Sequence, residues 1–152
     1  MWNFEHSVER KADRNFAWQF WTNVNNWPEV DSSVESASLD GPFQSGTKGS
    51  TKPRGGEPIH WQLEDVQDGC SAVVMIHLPS AALRCAWRFE DSGIHATRIT
   101  QRASIEGQKA QEYVSTAAHE LEKGIPDGMR KLAETIEHVA LGSALGRWFC
   151  LF

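Results

Sequence analysis

No stretch of this chain approaches the ~20 consecutive apolar residues that a membrane-spanning helix needs, which argues against integral membrane association. Basic charge is not concentrated either. The net charge is −5, and the densest short patch, Lys48, Lys52 and Arg54, reads as part of a Gly-rich turn. Nucleic-acid binders carry a clustered basic face, so nucleic acid is not expected as a partner. Cysteine is scarce, and Cys70, Cys85 and Cys150 are odd in number with no metal-ligand spacing. The string "HELEK" at 119–123 lacks the second histidine of a zinc helix, and neither a metal nor any other cofactor is expected. Nucleophile motifs of the Gly-x-Ser-x-Gly kind and phosphate-binding glycine loops are missing as well. The opening "MWNFEHSVER" is polar and alternating, unlike a signal peptide, so the expected setting is reduced and cytoplasmic.

What the chain does have is aromatic bulk: seven tryptophans and seven phenylalanines in 152 residues, the length of one ordinary domain. So many rings fill a large core or line a cavity, and composition alone does not choose.

The N-terminal segment alternates, with Trp2, Phe4, His6 and Val8 on one face and Asn3, Glu5, Ser7 and Glu9 on the other, the pattern of a half-buried strand. Asp13 is placed to N-cap a helix in which Phe16, Phe20 and Val24 recur at helical spacing, and "NNWPEV" reads as a second short helical turn begun by Pro28. Turn signals then arrive regularly, and the segments between them make residues 33–106 an antiparallel meander of about six strands. Two strands alternate clearly. Leu83, Cys85, Trp87 and Phe89 share an inward face, as do Thr97, Ile99, Gln101, Ala103 and Ile105. A long helical stripe follows, through Leu121, Ile125, Met129, Leu132, Ile136 and Val139. The stripe keeps its phase through "EKGIPDG", where Gly124, Pro126 and Gly128 should break a helix, and predicts a kink or a short non-α turn at 122–128. The order gives an α+β domain over residues 1–139, with an apolar tail at 140–152.

Several strings in this order resemble one family. "NFAWQFWTNVNNWPEVDSSV" is similar to the helix pair of the START-like superfamily, the helix-grip or Bet v 1-like fold, also called SRPBCC. "LDGPFQSGTKGSTKP", "IHWQLEDVQDG" and "ATRITQRASIEG" resemble its strands, and "GIPDGMRKLAETIE" its closing helix. Within the superfamily the polyketide cyclase/dehydrase and lipid-transport group is the most similar. The resemblance covers residues 2–139. It implies a curved antiparallel sheet of about seven strands wrapped on a long kinked C-terminal helix, with two short helices after the first strand and a central cavity.

The expected ligand is a hydrophobic or amphipathic small molecule: a lipid, polyketide, aromatic or isoprenoid metabolite. Its expected contacts are Phe4, His6, Trp61, Met75, Trp87, Phe89 and Gln101 from the strands, with Ile125 and Met129 from the helix. The resemblance makes the first and last strands neighbours, so that His6 and Gln101 pair face to face. Such a pair either orients a ligand or is a satisfied core pair that fixes register. His60 should point outward from the strand of Ile59, Trp61 and Leu63, whereas His77, in a strand apolar on both faces, cannot be placed by alternation. The expected activity is binding or carriage rather than catalysis. One alternative is a cyclase/dehydratase with His6 as acid/base. Another is a protein-interaction module using the tail, and a weak dimer is left open.

Overall fold

The computed structural model describes residues 2–150, with side chains described for residues 2–142. Strand β1 (Asn3–Arg10) leads into helix α1 (Arg14–Thr22), a 3₁₀ turn (Val24–Asn26) and a one-turn helix α2 (Trp27–Val30). Six strands follow: β2 (Val34–Leu39), β3 (Lys48–Pro53), β4 (Ile59–Gln67), β5 (Ser71–Leu78), β6 (Ala81–Gly93) and β7 (Ala96–Glu106). Helix α3 (Ala110–Cys150) closes the fold. The expected apolar tail begins inside this helix, and its side chains from residue 143 onward lie outside the described residues.

The strands form one seven-stranded antiparallel sheet in the order β1-β7-β6-β5-β4-β3-β2. Short turns join successive strands from β2 to β7, and β1 returns to the free edge of β7, setting His6 opposite Gln101. Register shifts in β2–β3, β4–β5 and β6–β7 bend the sheet. At the β4 shift Asp65 takes φ +46°, the sort of local irregularity that tightens twist and curls a sheet around a helix.

The alternation in β6 and β7 is realised. Phe89, Ile99, Ala103 and Ile105 are buried on the concave face, opposed by exposed Arg88, Arg98 and Arg102. Ile125, Met129, Leu132 and Ile136 of α3 are buried against that face, chiefly over β1 and β7. The helix is continuous across 122–128 with Pro126 in its interior, so the expected non-α turn does not form. Proline removes one backbone donor, which leaves the Glu122 carbonyl without its usual partner. Asp127–Arg130, Asp127–Lys131 and Arg130–Glu134 ion pairs span the helix surface just beyond it.

Asp13 occupies the N-cap position of α1, but its side chain caps nothing. Its Oδ1 instead lies 2.8 Å from His95 Nδ1, across from the β6–β7 turn. The start of α1 is held from another side as well, because Thr97 Oγ1 donates to the Ala12 carbonyl at 2.6 Å. Among the described residues no helix is long and apolar enough to cross a membrane.

Candidate functional site

Because α3 lies over β1 and β7, the concave surface of β3–β6 is left for α1 and α2 to cover, and between them a cavity of about 460 Å³ remains. Four indoles wall it: Trp21 from α1, Trp27 from α2, Trp61 from β4 and Trp87 from β6. Trp21 and Trp87 are 4.9 Å apart between ring centroids, and Trp27 and Trp61 are 5.3 Å apart, so the rings form two contacting pairs. Two of the rings are fixed by their N–H groups. Trp61 Nε1 donates to Thr51 Oγ1 at 3.0 Å, and Trp27 Nε1 to the Trp21 carbonyl at 2.8 Å. These bonds orient aromatic faces that contacts alone would leave freer to turn.

The Trp61 ring depends on its cross-strand partner. Gly49 stands opposite it in β3, and a Cβ there would overlap the indole. Glycine is required at this position for close approach, not for backbone conformation. Gly49→Ala is expected to lower stability by about 1–3 kcal/mol, the usual cost of overpacking. Chemical denaturation against the parent protein measures this, and an unchanged midpoint would show that the ring moves freely.

The opposite wall is α3, and here the helix-breaking residues find their place. Gly124 and Gly128 both border the cavity, with Leu121, Ile125, Met129 and Leu132 around them. A Cβ on either glycine would meet nothing within 4 Å. The two glycines thin the helix where the cavity needs width, while the flanking apolar residues continue the stripe.

Polar groups on the wall are few. Gln101 is buried, 9% exposed, on the β7 side, and Cys85 lies near it on β6. Burial pushes the Cys85 thiol up from its ordinary range, a push that the Gln101 amide opposes. Cys70 and Cys85 are both free thiols. Thr51, Asp31 and Glu120 complete the polar set, from β3, the end of α2 and α3. Asp31 Oδ1 accepts from the Ser33 backbone N–H at 2.9 Å and from Ser33 Oγ at 2.6 Å, which fixes the turn after α2.

Of the nine residues expected to contact a ligand, Trp61, Trp87, Gln101, Ile125 and Met129 are on the cavity wall. Phe4, His6, Met75 and Phe89 are not. Met75 is a correction of phase. Val74 pairs with inward Cys85 and Met75 with outward Arg84, so alternation turns the Met75 side chain to the far side of the sheet. Phe89 points inward but sits under α1, packed edge-on against Trp18 at 5.4 Å. Phe4 and His6 are half-buried on the β1 side, where α3 packs, rather than where the cavity opens. Among the described residues no side-chain hydrogen bond joins His6 and Gln101, although the two are register partners. His60 and His77 are both exposed. The wall residues missing from that expectation include Trp21 and Trp27, which belong to helices. The high tryptophan count was their one signal, and it carried no address.

Comparison with known proteins agrees with this architecture. The family model described as polyketide cyclase / dehydrase and lipid transport matches residues 1–137. No curated protein matches significantly in sequence. Among solved structures, norcoclaurine synthase from Thalictrum flavum superposes with a TM-score of 0.71 at 14% identity, covering 92% of this chain and 86% of that one. The Zhui aromatase/cyclase from Streptomyces sp. R1128 gives 0.68 at 13% identity, covering 90% and 93%. A protein from Thermus thermophilus gives 0.69 at 12% identity, covering 91% and 99%. At such identities the likeness is one of fold.

Proposed function

The chain belongs to the polyketide cyclase/dehydrase and lipid-transport family, and from that premise we propose that it binds and carries a hydrophobic or amphipathic small molecule in its central cavity. One observation carries the reading: an apolar cavity of about 460 Å³ walled by four indoles and by a helix thinned at Gly124 and Gly128. That volume falls within the range of small-molecule pockets, about 300–1,000 Å³. Flat indole faces favour a ligand with planar or ring character, whose apolar area contributes about 25 cal/mol for each Å² buried. Gln101 supplies a buried amide that orients a polar end of the ligand. The cyclase alternative takes His6 as its acid/base group, and His6 is not among the wall residues, although its cross-strand partner Gln101 is. The ligand-binding body spans residues 1–139, and free Cys70 and Cys85 suit a reducing, cytoplasmic setting.

Native mass spectrometry of freshly purified protein tests the proposal. A co-purifying small molecule of ring or lipid character is the expected result. Cys85 supplies a site-specific second readout in a Cys70→Ser, Cys150→Ser background. Its raised thiol should react slowly with maleimide, and more slowly still when the co-purified molecule is added back. Mass and labelling rate unaffected by any extract or apolar probe would count against cavity binding.

A further inference from the structure

The charge around the cavity is one-sided. Its wall carries two carboxylates, Asp31 and Glu120, and no lysine, arginine or histidine. Neither carboxylate takes part in an ion pair among the described residues. Asp31 uses Oδ1 on Ser33, and its Oδ2 accepts no hydrogen bond among the described residues. Arg54, the basic residue that contacts this turn, has its Nε committed to the Ser32 carbonyl at 2.8 Å. The two carboxylates come from different elements, the end of α2 and the body of α3, yet border one cavity. The same wall carries the four indoles, whose negative faces attract a cation. The chain as a whole is also negative, at −5.

We infer that the cavity selects a cationic ligand: an amphipathic molecule whose ring system lies among the tryptophans and whose ammonium group is held between the indole faces and the carboxylates of Asp31 and Glu120. The inference rests on the cavity-binding reading above and adds its charge. An anionic ligand such as a fatty acid would meet two carboxylates and no counter-charge on the wall. A neutral ligand would gain the apolar burial alone. An ammonium gains the same burial plus attraction to the indole faces and to the two carboxylates.

Three near-isosteric probes separate the possibilities: 2-naphthylethylammonium, 2-naphthylethanol and 2-naphthylacetate, titrated calorimetrically at low and at physiological salt. The ammonium should bind about tenfold more tightly than the alcohol, and the carboxylate more weakly than both. Added salt should narrow the gap, because the carboxylates lie toward solvent. In the Asp31→Asn, Glu120→Gln double variant the ratio of ammonium to alcohol affinity should fall severalfold. Asparagine keeps an oxygen for the Ser33 bonds, and circular dichroism verifies the fold. Alcohol bound as tightly as the ammonium, or a ratio unchanged in the double variant, overturns the charge preference while leaving cavity binding intact. Binding of none of the three overturns the cavity reading and this inference with it.

Discussion

Substituting Gly124→Leu and Gly128→Leu together is expected to weaken binding of an apolar probe by at least about a hundredfold, while the protein stays folded and melts a few degrees higher. Both glycines border the cavity and neither has an atom in the way of a Cβ. Two isobutyl groups projecting from α3 therefore enter the space between the helix and the indoles. Excluding only ~110 Å² of ligand surface from burial corresponds to about a hundredfold in affinity at ~25 cal/mol per Å². The stability change has the opposite sign. Glycine in a helix interior is about 0.5–1 kcal/mol less favourable than a good helix former, and leucine also adds apolar contact. For a domain near 150 residues, each 1 kcal/mol moves the melting temperature by about 2–4 °C. Calorimetric titration and thermal melting, run on the same samples, check both arms. A variant that is stabilised and binds normally would show that the ligand does not use this space. A strongly destabilised one would show that the space is not open.

These two glycines also mark the limit of what sequence reading could recover. The fold was legible because its elements are locally consistent. β6 and β7 alternate clearly in sequence, turn residues punctuate the meander, and the α3 stripe holds its phase across the interruption. The same interruption was readable as an anomaly, and the unbroken phase of the stripe across it is realised in the structure. The non-α turn is not, because flanking side chains buried on one sheet keep the segment helical in spite of Pro126. The cavity wall was legible only where alternation was clean. Trp61, Trp87 and Gln101 lie on the cavity-facing side of their strands. Met75 was misplaced because "SAVVMIHLP" is apolar on both faces. Val73 and Met75 are buried on the outer side of the sheet, opposite Ala86 and half-buried Arg84. His6 lies on the same face as Gln101, but α3 packs on its side of the sheet, so Gln101 reaches the cavity wall and its cross-strand partner His6 does not. Where α3 crosses the sheet is a tertiary choice that no local pattern encodes. Trp21 and Trp27 reach the wall through the angles of α1 and α2, which is the same kind of information.

Phe89→Ala should cost about 3–5 kcal/mol of stability, and Trp87→Ala, two residues away on the same strand face, should cost far less while removing ligand binding. Phe89 is 1% exposed and contacts the rings of Trp18 and Trp21 at 5.4 and 5.3 Å between centroids. Truncating it loses the transfer term and leaves a hole, which for a buried phenylalanine together cost about 3–5 kcal/mol. Settling of α1 into the hole is opposed, because the helix is tied at its middle and just before its first turn. Trp18 Nε1 donates to Asp68 Oδ1 at 3.1 Å, and Thr97 holds the Ala12 carbonyl in front of the first turn. Measured against the roughly 5–15 kcal/mol typical of a domain, such a loss removes a large share of the total stability. Trp87 borders the cavity, so its removal widens that space instead of opening a new one. The expected cost there is about 1–2 kcal/mol of lost packing, mostly against Trp21. Urea unfolding of the two variants, with probe titration of each, places the boundary between core and wall. Equal destabilisation by both substitutions would mean that Trp87 belongs to the core and that the cavity ends before it.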